Sequence, residues 1–481
     1  MQESISFVLD GKIKTLSFDE QNSPTTTLLN YLRQSPCHKG VKEGCAEGDC
    51  GACTVVLAEL GEKDKLKYRA LDSCLVFLPM IQGKQVITVE NLSQKKQGQE
   101  DVLHPVQDAM VNCNGSQCGY CTPGIVMSLF ALYKSEDGGD KENIQDALTG
   151  NLCRCTGYKP IIEAAAKSCA KPDKDQFSIS EKETIALLKQ IRSEEKSIAI
   201  QTDSQSYYQP NNKTEALALR KQWPDSVILS GATDIGLRVT KKHELLERII
   251  DLSHVPELKE MTETDAAYRF GAGLNLEDLR VFTTGKLTAL HEALAVFGSR
   301  QIRSLATLGG NLGSGSPIGD TLPVLMAYDA EIVLESTSGQ RKVNMNQFIL
   351  GYRQTARRPD ELITAVIIPK PVSQSRVKFY KVSKRKDLDI STVSAGFQLQ
   401  LENKKVKSIT LAYGGMAAVT KRASEAESFL TGKEWKRDVV EQAMDLVEKA
   451  YTPLSDARSG AAFRSLAAKN LLLKFWIETG V

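Results

Sequence analysis

No run of eighteen apolar residues occurs in this chain of 481 residues, so nothing in it reads as a membrane-spanning helix. A surplus of one charge sign is also missing. Lys and Arg together number 61 against 59 for Asp and Glu, a net of +2, which leaves no basic footprint for nucleic acid or another polyanion. No secretory leader is recognisable, so the expected compartment is the reducing cytoplasm, where a disulfide framework is disfavoured. Internal repeats, low-complexity tracts, a Rossmann fingerprint and a P-loop are all absent from the sequence. What remains is an ordinary soluble composition, 41% apolar, with length for three or four domains at about 100–200 residues each.

Chemistry enters with the eleven cysteines, eight of which fall into two tight sets. The first is Cys45-x4-Cys50-x2-Cys53, closed by Cys74 twenty-one residues on. This is plant-type ferredoxin spacing for a 2Fe–2S cluster: a short loop delivers three thiolates and a distant strand is expected to supply the fourth. The intervening residues, Ala46-Glu47-Gly48-Asp49 and Gly51-Ala52, place small side chains between every pair of ligands, so the backbone can curl around sulfide. The second set is Cys118-x2-Cys121 with Cys153-x-Cys155, two pairs separated by a helix-sized insert. Structural zinc also takes four thiolates. It suits the first spacing poorly, and the second better, although C-x-C sets two ligands unusually close. Cys37, Cys113 and Cys169 are left over and read as ordinary buried or partly buried thiols.

Residues 4–18 alternate around Asp10-Gly11, a β-hairpin signal. A helix near Thr27–Gln34, the cysteine loop, and strands at Thr54–Glu59 and Gln85–Val89 complete a β-grasp pattern. From about 104 the period becomes helical. His104-Pro105 opens one helix, Thr122-Pro123 a second directly after Cys121, Glu142–Leu148 forms a third, and Thr156 to Pro160 opens a fourth after Cys155. The helix starts beside both cysteine pairs would turn partial positive charge towards thiolates. Residues 170–200, beginning Lys171-Pro172-Asp173-Lys174-Asp175, read as a charged linker.

The larger α+β region beyond holds two glycine-bearing loops. Strand Val227-Ile228-Leu229 runs into Ser230-Gly231-Ala232-Thr233-Asp234, and Thr307 to Asp320 contains five glycines in fourteen residues. Such backbone can approach a pyrophosphate closely, and two such loops downstream of two redox sites favour a flavin. Gly271-Ala272-Gly273 reads as a turn.

These residues carry a resemblance. Gln117 to Gly124 (QCGYCTPG), Gly150 to Tyr158 (GNLCRCTGY), the Ser230–Ile235 loop, Gly309-Gly310-Asn311, Ser316 to Asp320 and Gly414-Gly415-Met416-Ala417 resemble, in order, the small iron–sulfur and flavin subunit of bacterial two-subunit xanthine dehydrogenases, in the molybdenum hydroxylase family. The resemblance implies an α+β multidomain fold. Residues 1–91 would be a 2Fe–2S ferredoxin-like β-grasp domain, 92–168 a four-helix bundle holding the second 2Fe–2S cluster, and 169–199 a linker. Residues 200–370 would be an FAD-binding domain of the vanillyl-alcohol-oxidase (PCMH) type, and 371–481 a C-terminal α/β domain like that of carbon monoxide dehydrogenase flavoproteins. It further implies that Ile228, Leu229, Ser230, Gly231, Ala232, Thr233, Asp234, Ile235, Thr307, Gly309, Gly310 and Asn311 line the FAD. Phe297 and Ile363 would pack near it, Asp320 and Lys381 would contact it, and the loop after Lys381 would border the nicotinamide entrance.

Gln117 and Cys155 would lie nearest a pterin. No catalytic residue for substrate oxidation is expected in this chain. The molybdopterin would sit on a large partner subunit, in a heterotetramer of two small and two large chains, with NAD+ as acceptor and hypoxanthine or xanthine as substrate. A related hydroxylase acting on an aldehyde, carbon monoxide or another N-heterocycle, a free-standing NAD(P)H-dependent flavin and iron–sulfur reductase, and a non-enzymatic electron carrier remain alternatives. The stretch Leu312–Gly315 is more Gly/Ser-rich than in typical relatives.

Overall fold

The computed structural model describes all residues except 1, 20, 21, 95–100, 136, 171–173, 195, 373 and 481. The chain packs as two compact units. One comprises Met1–Asn211, Ser226–His254 and Ser299–Leu305, the other Asn212–Asp225, Val255–Gly298 and Ala306–Val481. The mixed α+β architecture anticipated from the sequence is the one adopted.

In the first unit, strands Ser4–Leu9 and Lys12–Ser17 pair antiparallel across Asp10 and Gly11. Both turn residues have positive φ (54° and 70°), the conformation a two-residue hairpin demands. Strand Ser4–Leu9 then runs parallel to Gln85–Ile87, which neighbours Thr54–Leu60 and, beyond it, Leu66–Asp72. This five-stranded sheet packs on helix Leu28–Gln34 through Ile5, Phe7, Leu28, Leu32 and Phe77, all essentially inaccessible. The sequence reading sets no bounds for strand Leu66–Asp72, expecting only a distant strand at Cys74, although its Leu66, Tyr68 and Ala70 alternate with Lys67 and Arg69.

Helices Pro105–Asn112, Thr122–Tyr133, Lys141–Leu148 and Lys159–Cys169 form the expected bundle. Thr122–Tyr133 is buried along nearly its whole length. Of the expected charged linker, Lys171, Pro172, Asp173 and Glu195 lie outside the described residues. Its remainder departs from expectation, forming helices Gln176–Ile179 and Glu181–Ser193, because Leu188 and Ile191 recur on one face and pack against Val8 of the sheet. A four-stranded sheet, in the order Ile198–Gln201, Ser206–Gln209, Arg248–Asp251 and Val227–Leu229, completes this unit and shares its core through Ile200, Tyr207, Leu229 and Ile249.

The second unit contains a five-stranded antiparallel sheet built from residues 261–369 and a four-stranded antiparallel sheet built from residues 376–422. Helices Ser424–Leu430, Arg437–Lys449 and Ala461–Thr479 bury Val440, Leu472 and Phe475 against the latter. Among the described residues no helix is long and apolar enough to cross a membrane.

Candidate redox sites

The first cysteine set lies on a loop between Val41 and Cys53, closed by the Lys42 N–H donating to the Ala52 carbonyl at 3.0 Å. Ala46, Gly48 and Gly51 take positive φ (54°, 80° and 65°), so the chain curls inward at three points. A Cβ at Gly44 would stand 2.7 Å from Cys50 Sγ, which explains that glycine. Backbone N–H groups of Glu47 and Asp49 donate to Cys45 Sγ at 3.4 and 3.3 Å. Cys53 and Cys74 are buried (2% and 1% exposed), and Cys74 occupies a short 3-10 turn, Ser73–Leu75. The expected fourth ligand is therefore on the turn that follows strand Leu66–Asp72, not within a strand. Thiols meet in pairs: Cys50 donates to Cys45, and Cys53 to Cys74. The Cys50 hydrogen bond, above all, draws Cys45 down to about 5.

The second set also meets pairwise, Cys155 with Cys118 and Cys121 with Cys153. Helix Thr122–Tyr133 starts immediately after Cys121; helix Lys159–Cys169 starts four residues past Cys155, after Tyr158 in the left-handed region at φ 66°. Cys153 Sγ lies 3.1 Å from the Thr156 hydroxyl, and the Cys153 N–H donates to the Tyr158 hydroxyl at 2.8 Å. Burial pushes Cys121 up to about 12, whereas a backbone N–H at Tyr120, foremost, lowers the exposed Cys118. Gln117, Cys118 and Cys155 are all exposed, so the expected pterin-proximal residues share the open side of this site.

Among the described residues no three His, Cys, Asp or Glu side chains gather closely enough to hold a single metal ion. Two thiolates for each of two irons is the demand of a 2Fe–2S cluster, and the paired thiols of both sets fit it.

A buried polar network that the sequence reading did not identify joins the two loops. Leu152 N–H donates to the Cys50 carbonyl at 3.0 Å. Asn151 Nδ2 donates to the Gly51 carbonyl at 3.2 Å, while Asn151 Oδ1 accepts from Ser128 Oγ at 2.6 Å and Gln301 Nε2 at 2.9 Å. Arg303, wholly buried, pairs with Asp146 at 2.6 Å beside it. Of the leftover cysteines, Cys169 is buried and Cys113 partly so, but Cys37 is exposed.

The proposed flavin loops fall in different units, and each is described by itself. In the first unit, Ile228 and Leu229 end a strand, and Ser230, Gly231, Ala232, Thr233 and Asp234 lead into helix Ile235–Thr240. Ala232 has φ 61°, and Ser230 Oγ is shielded from solvent with no hydrogen-bond partner. In the second, Thr307 Oγ1 accepts from the Gly310 N–H at 3.1 Å, and the Gly309 N–H donates to Ala272 at 2.7 Å. A Cβ at Gly309 would stand 2.6 Å from Ala272 Cβ, so the Gly271-Ala272-Gly273 turn is the wall against which this loop lies. Asn311 Oδ1 accepts from Thr321. A Cβ at Gly313 would reach Ile363 at 3.5 Å. Asp320, buried, accepts from Lys381 Nζ at 2.7 Å and Ser391 Oγ at 2.5 Å; Lys381 also donates to the Val296 carbonyl next to Phe297. Each loop, taken by itself, has glycine-bearing backbone that a phosphate group can approach, and in the first the shielded Ser230 hydroxyl lacks a partner.

Three family models match the chain: a [2Fe-2S] binding domain at residues 88–166, an FAD binding domain in molybdopterin dehydrogenase at 185–371, and a CO dehydrogenase flavoprotein C-terminal domain at 378–479. Xanthine dehydrogenase from Oryza sativa is 30% identical over 94% of this chain, and xanthine dehydrogenase 1 from Arabidopsis thaliana is 31% identical over 95%. The chain spans 38% of the length of each. A solved carbon monoxide dehydrogenase chain from Hydrogenophaga pseudoflava is 25% identical with a TM-score of 0.54, covering 56% of this chain and 94% of its own.

Proposed function

Because this chain belongs to the molybdenum hydroxylase family, carrying its iron–sulfur and FAD-binding part, we propose that it is the electron-transfer subunit of a xanthine dehydrogenase. In this reading a molybdopterin-containing partner chain oxidises hypoxanthine or xanthine to urate, and this chain relays the electrons to NAD+ through two 2Fe–2S clusters and FAD. When bound, clusters carry electrons singly, and a flavin can collect two for hydride transfer. The supporting observation is coverage: likeness to xanthine dehydrogenases runs through 94–95% of the chain, whereas the carbon monoxide dehydrogenase chain corresponds to 56%.

Each residue set has its task in this reading. Cys45, Cys50, Cys53 and Cys74 hold one cluster; Cys118, Cys121, Cys153 and Cys155 hold the other. Gln117 and Cys155, on the exposed side, face the partner's pterin. Ile228 to Ile235 and Thr307 to Asn311 present backbone to FAD. Asp320 is held by Lys381 and Ser391, so its carboxylate is fixed in direction, with Phe297 and Ile363 as apolar walls.

The reading is tested on the purified chain with and without the candidate molybdenum-containing chain. About four irons and four labile sulfides per chain are expected. Alone, the chain should pass electrons from NADH to an artificial acceptor and leave xanthine untouched; with its partner, xanthine should reduce NAD+. Asp320→Ala and Gly310→Val should both lower flavin content and slow flavin reduction, with cluster content unchanged. Stoichiometric zinc, or normal flavin binding in both variants, contradicts the assignment.

A further inference from the structure

Two lysines reach the ligand loops without being ligands. Lys241, just past helix Ile235–Thr240, donates from Nζ to the carbonyl of Cys45 at 3.1 Å and lies 3.5 Å from the Glu47 carboxylate. Lys42 donates from Nζ to the carbonyls of Gly119 at 3.2 Å and Tyr120 at 3.4 Å, the two residues between Cys118 and Cys121. Its ammonium also stands 5.4 Å from the Tyr120 ring centre, and the Tyr120 hydroxyl donates back to the Glu43 carbonyl at 2.5 Å.

Neither ammonium is a freely wandering surface charge. The helix leading to Lys241 is seated at its start against the residue following Cys74: a Cβ at Gly236 would stand 3.2 Å from Leu75 Cδ2 and 3.6 Å from Leu75 Cα. One short element therefore touches the first site at both ends, Leu75 at one and Cys45 at the other. Lys42 is held by two carbonyls and an aromatic face at once, an arrangement that fixes a cation's position.

Acids crowd the first site. Glu47 and Asp49 lie within its loop. Anions oppose the extra electron of a reduced cluster and cations favour it, since net charge and hydrogen bonding set the reduction potential. We propose that Lys241 and Lys42 are potential-setting residues, Lys241 for the first site and Lys42 for the second. Each raises the potential of the cluster whose loop it contacts. The proposal rests on the reading that both cysteine sets hold clusters.

The test is a redox titration of the purified full chain followed by electron paramagnetic resonance, the two signals being assigned by their loss in Cys50→Ala and Cys153→Ala. Lys241→Gln should move the first-site midpoint negative and leave the second in place; Lys42→Gln should do the reverse. The ratio of reduced to oxidised cluster at fixed potential should fall about threefold to tenfold, roughly 30–60 mV for one electron. Lys241→Arg and Lys42→Arg should restore both midpoints, and Glu47→Gln should move the first one positive. The Lys241 side chain is 45% exposed, so added salt should shrink its effect. Unmoved midpoints in both glutamine variants, or equal movement of both signals in either, overturn the proposal. If a glutamine variant loses iron, Glu47→Gln decides for the first site, and its failure to raise that midpoint counts against the proposal. A single signal with two irons per chain would instead overturn the two-cluster reading beneath it.

Discussion

The two cysteine sites reach the same paired-thiol geometry by opposite routes. The first is enclosed, with Cys53 and Cys74 at 2% and 1% exposure, and its shape comes from backbone that only glycine-rich sequence adopts readily. The second is open, with Cys118 and Cys155 exposed, and its shape comes from regular helices that start close to the ligands. Enclosure keeps water from a site and leaves only covalent and hydrogen-bonded neighbours for exchange. An open rim instead offers a surface on which another chain can place its own redox group. The difference is the one that the proposed relay calls for, one end facing outward and one end kept inside.

The largest effects should come from the ligands themselves. Cys50→Ala should abolish the first site's spectroscopic signal and spare the second, Cys153→Ala the reverse, each taking iron from about four to about two per chain. Loss of both signals in a folded variant would mean that the ligand grouping is wrong. A glycine tests how far the sites are independent. A Cβ at Gly124, on the second site's helix, would stand 2.0 Å from the Gly51 carbonyl oxygen of the first site's loop. Gly124→Ala should therefore disturb both signals together and destabilise the protein by about 1–3 kcal/mol or more, read by urea unfolding. Damage confined to the second site would show that the loops are not interlocked.

A third substitution contrasts what holds each site's scaffold. The β-grasp rests on apolar packing, whereas the bundle contains a buried charged lock. His104 Nδ1 accepts the Val106 N–H that opens helix Pro105–Asn112, and its Nε2 lies 3.1 Å from Asp175, which also takes Lys134 Nζ at 2.9 Å. Burial alone would raise the Asp175 carboxyl, but hydrogen bonds from His104, Lys134 and Ser178 outweigh it and hold the carboxyl well below its usual range. The depressed value means a stabilisation fully present above the unfolded carboxyl value near 4 and lost as pH falls below it. Asp175→Asn should reduce stability at pH 7 by about 2–4 kcal/mol, because it leaves Lys134 buried without its counter-charge. The gap from the native protein should narrow in acid. A gap that stays constant from pH 7 to pH 3 would remove Asp175 from the lock.

Local signals were the legible ones. Asp10-Gly11, His104-Pro105 and Thr122-Pro123 each act through the backbone of their own few residues, and hairpin and helices start where these motifs place them. Cysteine spacing is legible because ligands must converge on one cluster. The missing pieces depend on partners distant in sequence. Gln301 reaches Ser128 across 173 positions and Asn151 across 150, and neither residue type declares a partner at such range. Asp320 and Lys381 were expected beside a flavin, but their grip on each other across 61 positions is seen only in the fold. Residues 226–254 and 299–305 pack with the iron–sulfur part while their chain neighbours pack elsewhere, a discontinuity that composition does not mark. The helix Glu181–Ser193 was hidden by its charges, since nine exposed or half-exposed positions surround the four that pack inward.

The smallest expected effect isolates one hydrogen bond. At the first site, the donors to Cys45 Sγ include the backbone N–H groups of Glu47 and Asp49, which no substitution short of proline removes. At the second, Cys153 Sγ is approached by a side-chain hydroxyl, Thr156 Oγ1 at 3.1 Å, which valine replaces with nearly the same shape. The same hydroxyl accepts the Tyr158 N–H at 3.2 Å, so Thr156→Val also strips a partner from the turn before helix Lys159–Cys169. A hydrogen bond to a ligand sulfur favours the more negative, reduced state. Its net worth of about 0.5–1.5 kcal/mol corresponds to roughly 20–60 mV for one electron. Thr156→Val should therefore lower the second site's midpoint by that amount and leave the first unchanged. Thr156→Ser, which retains the hydroxyl, should restore the native value if the sulfur contact is responsible. A negative shift in both variants would assign the effect to the altered turn, and no shift in either would mean that Thr156 does not donate to Cys153.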